Sequence, residues 1–219
     1  MNPHKFKGIY DDKGRYYTLN LVKGKSVYGE RLVKDSGKEY REWDPTRSKL
    51  SAALHKKISQ LGIYPGSSVL YLGASTGTTV SHVSDLVGET GIVFALDFSK
   101  RTTRDLMFLC KDRKNIAPIL ESAVHIDAFA GKACQVDAIV QDIAQRDQAR
   151  IFLKNCDAFL KEGGFGILVV KARSIDVSKK PKQVFQDVRK LLENSITIVD
   201  YRELHPLEKD HCIYICKKK

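Results

Sequence analysis

Between Val69 and Lys171 five apolar runs alternate with helical stretches, and this rhythm restricts the fold more than any other feature of the chain. The runs are Val69 to Leu72, Ile92 to Asp97, Ile116 to Glu121, Val136 to Asp142 and Phe165 to Lys171, with helices between them, among them Thr102 to Arg113 and Ala149 to Leu160. Strands that alternate with helices pair in parallel, because each helix returns the chain to the edge it left. The sheet is then covered on both faces and binds ligands at the carboxyl ends of its strands. A further helix, with Val184, Val188, Leu191 and Leu192 on one face, leads to two last runs, Ile196 to Leu204 and Cys212 to Cys216. The polar link through Pro206 and Lys209 is too short for a parallel crossover, so these two strands form an antiparallel hairpin. The last strand therefore starts on the edge where the others end. Asp142 closes the fourth run, Lys171 the fifth, and His211 opens the last, so these three side chains are expected on one rim.

Upstream, residues 5 to 42 alternate aromatic or aliphatic with polar residues (Tyr16, Tyr17, Leu19, Leu21, then Val27, Tyr28, Arg31, Leu32, Val33) between glycines, which predicts short antiparallel hairpins. Asp44-Pro45 reads as a helix cap followed by proline at the first helical position, with Leu50, Leu54, Ile58 and Leu61 at helical spacing up to Gly62. At 219 residues no second full-size domain fits. The expected organisation is an N-terminal β-hairpin region, 1–43, and an α/β domain, 44–219.

The first run breaks directly into the small-residue turn Gly73-Ala74-Ser75-Thr76-Gly77 and then into a helix, and Asp97 follows twenty residues after Gly77. Glycines let the backbone approach a ligand, and an acid ending the second strand accepts hydrogen bonds from ribose hydroxyls. The spacing Gly73-x-x-x-Gly77 is not the G-x-G-x-x-G of a pyrophosphate cradle, which argues against a nicotinamide-dependent oxidoreductase. A cofactor with adenosine but no diphosphate fits, and S-adenosylmethionine is the candidate. Phe98, beside Asp97, is placed to cover an adenine face.

The five cysteines are scattered, odd in number and without a C-x-x-C pair, which points to a reducing compartment and to no metal site. No apolar run approaches the length that spans a bilayer, so no membrane is expected as a partner. Charge is more informative: 37 Lys and Arg against 26 Asp and Glu give +11, and residues 1 to 60 alone hold 14 against 7. An excess of this size favours a polyanionic partner such as nucleic acid.

A seven-stranded, mostly parallel sheet with an antiparallel last strand resembles the Rossmann-like class I methyltransferases. Four segments narrow the resemblance: Arg41 to Leu50 (REWDPTRSKL), Gln141 to Gln145 (QDIAQ), Val170 to Asp176 (VKARSID) and Glu208 to His211 (EKDH). Together they resemble the archaeal fibrillarin-like proteins over essentially the whole chain. The resemblance implies S-adenosylmethionine-dependent methylation of ribose 2′-hydroxyls in rRNA and tRNA. It also implies partners: a box C/D guide RNA, a Nop-domain scaffold protein and a kink-turn-binding ribosomal-type protein. It places the Lys-Asp-Lys-His catalytic set on Lys49, Asp142, Lys171 and His211. Cofactor contacts fall on Gly73, Thr78 and Thr79, on Asp97 and Phe98, on Ser122 and Ala123, and on Asp142 and Gln145. One position departs: many relatives carry Asp-Ala where this chain reads Ser122-Ala123, so the adenine amino group loses a carboxylate acceptor. No Gly/Arg-rich leader precedes the hairpins, unlike in eukaryotic relatives, and an archaeal-type cytoplasmic protein is expected.

A ribose hydroxyl is a poor nucleophile at neutral pH, so such an enzyme must align its oxygen with the methyl–sulfur bond and assist loss of its proton. A neutral amine can take that proton, and a neighbouring cation favours the neutral form. Lys171 with Lys49 nearby is the candidate base, oriented by Asp142, while His211 positions the ribose or relays the proton. The alternative is a non-catalytic RNA-binding subunit of the same assembly, in which Ser122 has cost the chain its cofactor.

Overall fold

The computed structural model describes residues 1–219 and contains two sheets. The first is antiparallel and is built from β1 (Asn2–Pro3), β2 (Ile9–Asp12), β3 (Arg15–Leu19), β4 (Leu32–Asp35) and β5 (Lys38–Glu42), in the order β1-β2-β3-β5-β4. Lys13-Gly14 and Ser36-Gly37 turn its two tight hairpins with positive φ at both residues, as two-residue hairpin loops require. The alternation through Val27 and Tyr28 does not become a strand. The Glu30 carboxylate takes the N–H groups of both residues, at 2.9 and 2.8 Å, and curls the backbone away from the sheet.

The linking helix is shorter than its apolar spacing suggests: α1 spans Lys49–His55 and is capped by Ser48, not Asp44. Asp44 instead closes a separate turn, accepting from the Thr46 N–H at 2.8 Å and its hydroxyl at 2.7 Å. Lys57 at φ 58° ends the helical path, and Ile58 and Leu61 reach the core from irregular backbone.

The second sheet carries the strand–helix alternation. Its elements are β6 (Ser68–Leu72), α2 (Thr78–Val87), β7 (Ile92–Asp97), α3 (Lys100–Asp112), β8 (Ile116–Leu120), β9 (Val136–Gln141), α4 (Gln148–Phe159), β10 (Leu160–Lys171), α5 (Ala172–Ile175), α6 (Pro181–Glu193), β11 (Thr197–Glu203) and β12 (His211–Lys217). The order is β11-β12-β10-β9-β6-β7-β8, and only β12 runs against its neighbours, as the short last link predicts. Alternate residues face opposite layers. Val69, Tyr71, Val140, Val169 and Ile213 pack with α1, α2 and α3, whereas Leu70, Leu72, Ile139, Leu168 and Val170 pack with α4 and α6. Cys212, Tyr214 and Cys216 share the second face as buried packing, with the Tyr214 hydroxyl donating to the Phe185 carbonyl at 2.6 Å.

A polar network joins the first sheet to α2. Arg41 Nε meets Glu30 at 2.6 Å, its Nη1 meets Asp85 at 2.8 Å, and its Nη2 donates to the Ser81 hydroxyl at 2.9 Å. Arg113 reaches the other Asp85 oxygen at 2.6 Å. The Thr18 hydroxyl spends its hydrogen on Asp85, so at His82 Nδ1 it accepts, and His82 is the Nδ1–H tautomer with Nε2 facing the Tyr28 hydroxyl at 2.8 Å. Burial, followed by the charges of Arg41 and Arg113, holds His82 well below the usual imidazole range. Burial pushes the Glu30 carboxyl up, but Arg41 and the N–H groups of Tyr28 and Val27 outweigh it, and Glu30 ends below its usual range.

Candidate active site

Four strand ends and the turns that follow them enclose a cavity of about 220 Å³, lined by Gly73, Ser75, Asp97, Phe98, Ser122, Ala123, Asp142 and Gln145 among others. Gly73, at φ 88°, makes this closeness possible. A Cβ there would stand 2.5 Å from the Asp142 carbonyl oxygen, so only glycine lets the turn after β6 lie against the end of β9.

Asp97 organises the turn as well as facing the cavity. Its Oδ1 accepts from the Ser99 N–H at 2.9 Å and the Thr102 hydroxyl at 3.0 Å, and its Oδ2 accepts from the Ser75 N–H at 2.7 Å. Each carboxylate oxygen offers two lone pairs, so Oδ1 is filled and Oδ2 keeps one for a ligand hydroxyl. Phe98 lies on the cavity edge with 70% of its surface exposed, a large ring without a protein partner. Ser122 Oγ accepts a long bond from the Val124 N–H at 3.4 Å and keeps its own hydrogen to donate. The Ala123 carbonyl is taken by the buried Asn155 carboxamide at 2.9 Å, while its N–H has no protein acceptor. Thr78 and Thr79, at the start of α2, do not line this cavity. Thr79 donates to the Ser48 hydroxyl at 3.2 Å, and Thr78 borders a separate cleft with Tyr28 and Arg47.

Beside the cavity the structure brings Lys49, Asp142, Lys171 and His211 to one rim. Lys171 Nζ lies 2.7 Å from Asp142 Oδ1, and Lys49 Nζ lies 3.3 Å from Asp142 Oδ2. Lys171 Nζ also donates to the Asp142 carbonyl at 3.3 Å, so the lysine is held by both the side chain and the backbone of Asp142. Lys171 and His211 are register partners across β10 and β12. His211 Nδ1 donates to the Lys209 carbonyl at 2.6 Å, which leaves Nε2 as a free acceptor. The crowding of Lys171 by Lys49 that the sequence suggests does not occur directly, because a carboxylate stands between the two amines.

Two placements show what holds this rim. Lys49 is the first residue of α1, where the helix dipole disfavours a cation, and no acid in that turn compensates it. Asp142 and Glu208, from distant parts of the chain, do so instead, at 3.3 and 3.8 Å. Lys171 is clamped by the buried Gln148 carboxamide, which accepts from its N–H at 3.0 Å and donates to its carbonyl at 3.3 Å. Sequence reasoning assigns no role to Gln148 or Glu208. Gln148 sits at the start of a helix without any chemical pattern of its own, whereas Glu208 was visible inside the Glu208 to His211 segment.

The chain matches the family model described as Fibrillarin over residues 1–219. It is 46% identical to the fibrillarin-like rRNA/tRNA 2′-O-methyltransferase of Pyrococcus abyssi, covering 100% of this chain and 98% of that one. Among solved structures it is similar to a Methanococcus jannaschii fibrillarin pre-rRNA processing protein, at 43% identity and TM-score 0.94, over 98% of this chain and 96% of that one. An Aeropyrum pernix fibrillarin in complex with natively bound S-adenosyl-L-methionine follows at 39% identity and TM-score 0.90, over 98% and 96%. A fibrillarin/Nop5p complex is similar at 38% identity and TM-score 0.89, over the whole of both chains.

Proposed function

The chain belongs to the fibrillarin family, and on that premise we propose that it is an S-adenosylmethionine-dependent enzyme that methylates ribose 2′-hydroxyls in rRNA and tRNA. One observation carries the reading. Asp142 belongs both to the lining of the adenosine-sized cavity and to the cluster of Lys49, Lys171 and His211, so the cofactor site and the acidic–basic rim share a residue.

The cavity suits the cofactor. Oδ2 of Asp97 has one lone pair left for a ribose hydroxyl, the free Ala123 N–H suits a ring nitrogen of adenine, and Phe98 offers a face for the base. When bound, S-adenosylmethionine supplies a methyl group activated by a sulfonium. The residues of the rim serve the acceptor. In its neutral form Lys171 Nζ takes the hydroxyl proton as the oxygen forms its new bond, and the Asp142 carboxylate holds the ammonium that results. His211, fixed through its Nδ1 on the Lys209 carbonyl, borders the acceptor and positions the ribose.

Target choice falls to a box C/D guide RNA by base pairing, with this chain docked on a Nop-domain scaffold and a kink-turn-binding protein in the same assembly. The fibrillarin/Nop5p complex of a relative supports the scaffold, and the charge of +11 supports RNA as the ligand. The test is transfer of labelled methyl from S-adenosylmethionine to RNA, with and without the guide assembly. Label at a guide-specified 2′-oxygen is expected. Absence of both transfer and saturable cofactor heat in calorimetry would assign the chain instead to a non-catalytic RNA-binding role.

A further inference from the structure

Glu208 stands on the rim with no hydrogen bond to its carboxylate, which is 22% exposed. Its Oε1 lies 3.8 Å from Lys49 Nζ and its Oε2 lies 4.0 Å from His211 Nδ1. Lys49, far away in the chain, is the cation it meets within 4 Å. The backbone is fixed where it matters, since the Glu208 N–H donates to the Leu204 carbonyl at 3.0 Å and holds the link between β11 and β12 in a turn. We propose that Glu208 is a positioning residue for methyl transfer: its carboxylate shares the charge of Lys49 with Asp142, so that Asp142 also stays paired with Lys171.

Without Glu208 the rim would hold one carboxylate between two ammonium groups. Lys49, at the start of α1, would then have Asp142 as its sole counter-charge against the helix dipole. The shorter pair, Lys171 with Asp142 at 2.7 Å, would lose ground to Lys49, now at 3.3 Å, and the amine assigned to the hydroxyl proton would be less firmly held. Glu208 brings the cluster to two cations and two anions, with Lys49 shared between the two carboxylates. It touches neither cavity nor acceptor. It acts through Lys49.

This inference rests on the reading of the chain as a methyltransferase. The experiment is single-turnover methylation by the reconstituted guide assembly, comparing wild type, Glu208→Gln, Lys49→Met and the double variant, with cofactor calorimetry and thermal melting of each. Glu208→Gln keeps the shape and removes the charge. It is expected to slow transfer about tenfold, less than the roughly 10²-fold or more that a group making the proton transfer itself supplies, while S-adenosylmethionine affinity and melting temperature stay at wild-type values. In the Lys49→Met background the same substitution should cost nothing further, because the residue it acts through is gone. Glu208→Asp should recover part of the loss. Wild-type rates in Glu208→Gln, a full additional loss in the double variant, or a parallel fall in cofactor affinity and melting temperature would each overturn the proposal. A wild type that transfers no methyl at all would instead refute the methyltransferase reading on which it stands.

Discussion

The molecule contains two clusters with the same formal charge, two cations against two carboxylates, set in opposite surroundings. At the joint between the sheets Arg41, Arg113, Asp85 and Glu30 have at most 1% of their side chains exposed, and their ion pairs close at 2.6 to 2.8 Å. On the rim Lys49, Lys171, Asp142 and Glu208 are 14 to 22% exposed, with contacts from 2.7 to 3.8 Å and a Glu208 carboxylate that accepts no hydrogen bond. Arginine suits the first because its planar fork satisfies a carboxylate from two directions and keeps its charge when buried; lysine suits the second because a single amine can give up a proton. A charge cluster that is complete holds a fold together. One that is left incomplete at a solvent edge can act on something else.

The largest break in this contrast should come from Asp85→Ala, which strands the buried Arg113 guanidinium and leaves Arg41 with Glu30 alone. A loss of about 3 to 5 kcal/mol is expected in urea unfolding, the penalty for uncompensated buried charge. Lys171→Met should do the reverse. Transfer should fall by about 10² to 10⁴ in single-turnover assays, while urea unfolding moves by no more than about 1 kcal/mol, as suits a pair open to solvent. A destabilisation like that of Asp85→Ala would erase the distinction between the clusters.

The open side should also accept a new charge. Ser122→Asp supplies a carboxylate to the cavity edge and should tighten S-adenosylmethionine by about 1.5 to 3 kcal/mol at most, the worth of a hydrogen bond to a charged group. A weaker cofactor heat signal in calorimetry would show that another contact holds the adenine. The smallest effect is a pH slope. His82 is held neutral below its ordinary value of 6.5, so below pH 6.5 the unfolded chain binds a proton that the folded chain does not. Stability should therefore fall on acidification, by at most about 1.4 kcal/mol per pH unit for one proton. His82→Gln should flatten that slope in unfolding curves between pH 6.5 and 5 without altering the pH dependence of transfer.

Legibility in the sequence followed the range of the physics involved. The strand–helix rhythm and the short last link are local signals, and they led to the parallel sheet, the reversed β12 and the meeting of Asp142, Lys171 and His211. The start of α1 was misplaced because Asp44-Pro45 carries the composition of a cap, yet its side chain closes a turn to Thr46. Local pattern cannot separate a cap from a turn four residues earlier. Lys49 came from family resemblance alone, since nothing in its own surroundings marks a lysine on the first turn of a helix as functional. The partners of Arg41 were out of reach for a similar reason. Asp85 lies 44 residues away, and only packing of the first sheet on α2 brings them together.

The position of β12 bears on how the enzyme comes into being during synthesis. This strand follows all the others in the chain, yet it lies between β10 and β11. A ribosome that has released everything through β11 has made Lys49, Asp142 and Lys171, but the nascent protein has no His211, and one edge of β10 is bare. Neither β10 nor β11 can pair on that side until the last strand slides between them. One event, the arrival of β12, thus both closes the sheet and completes the rim.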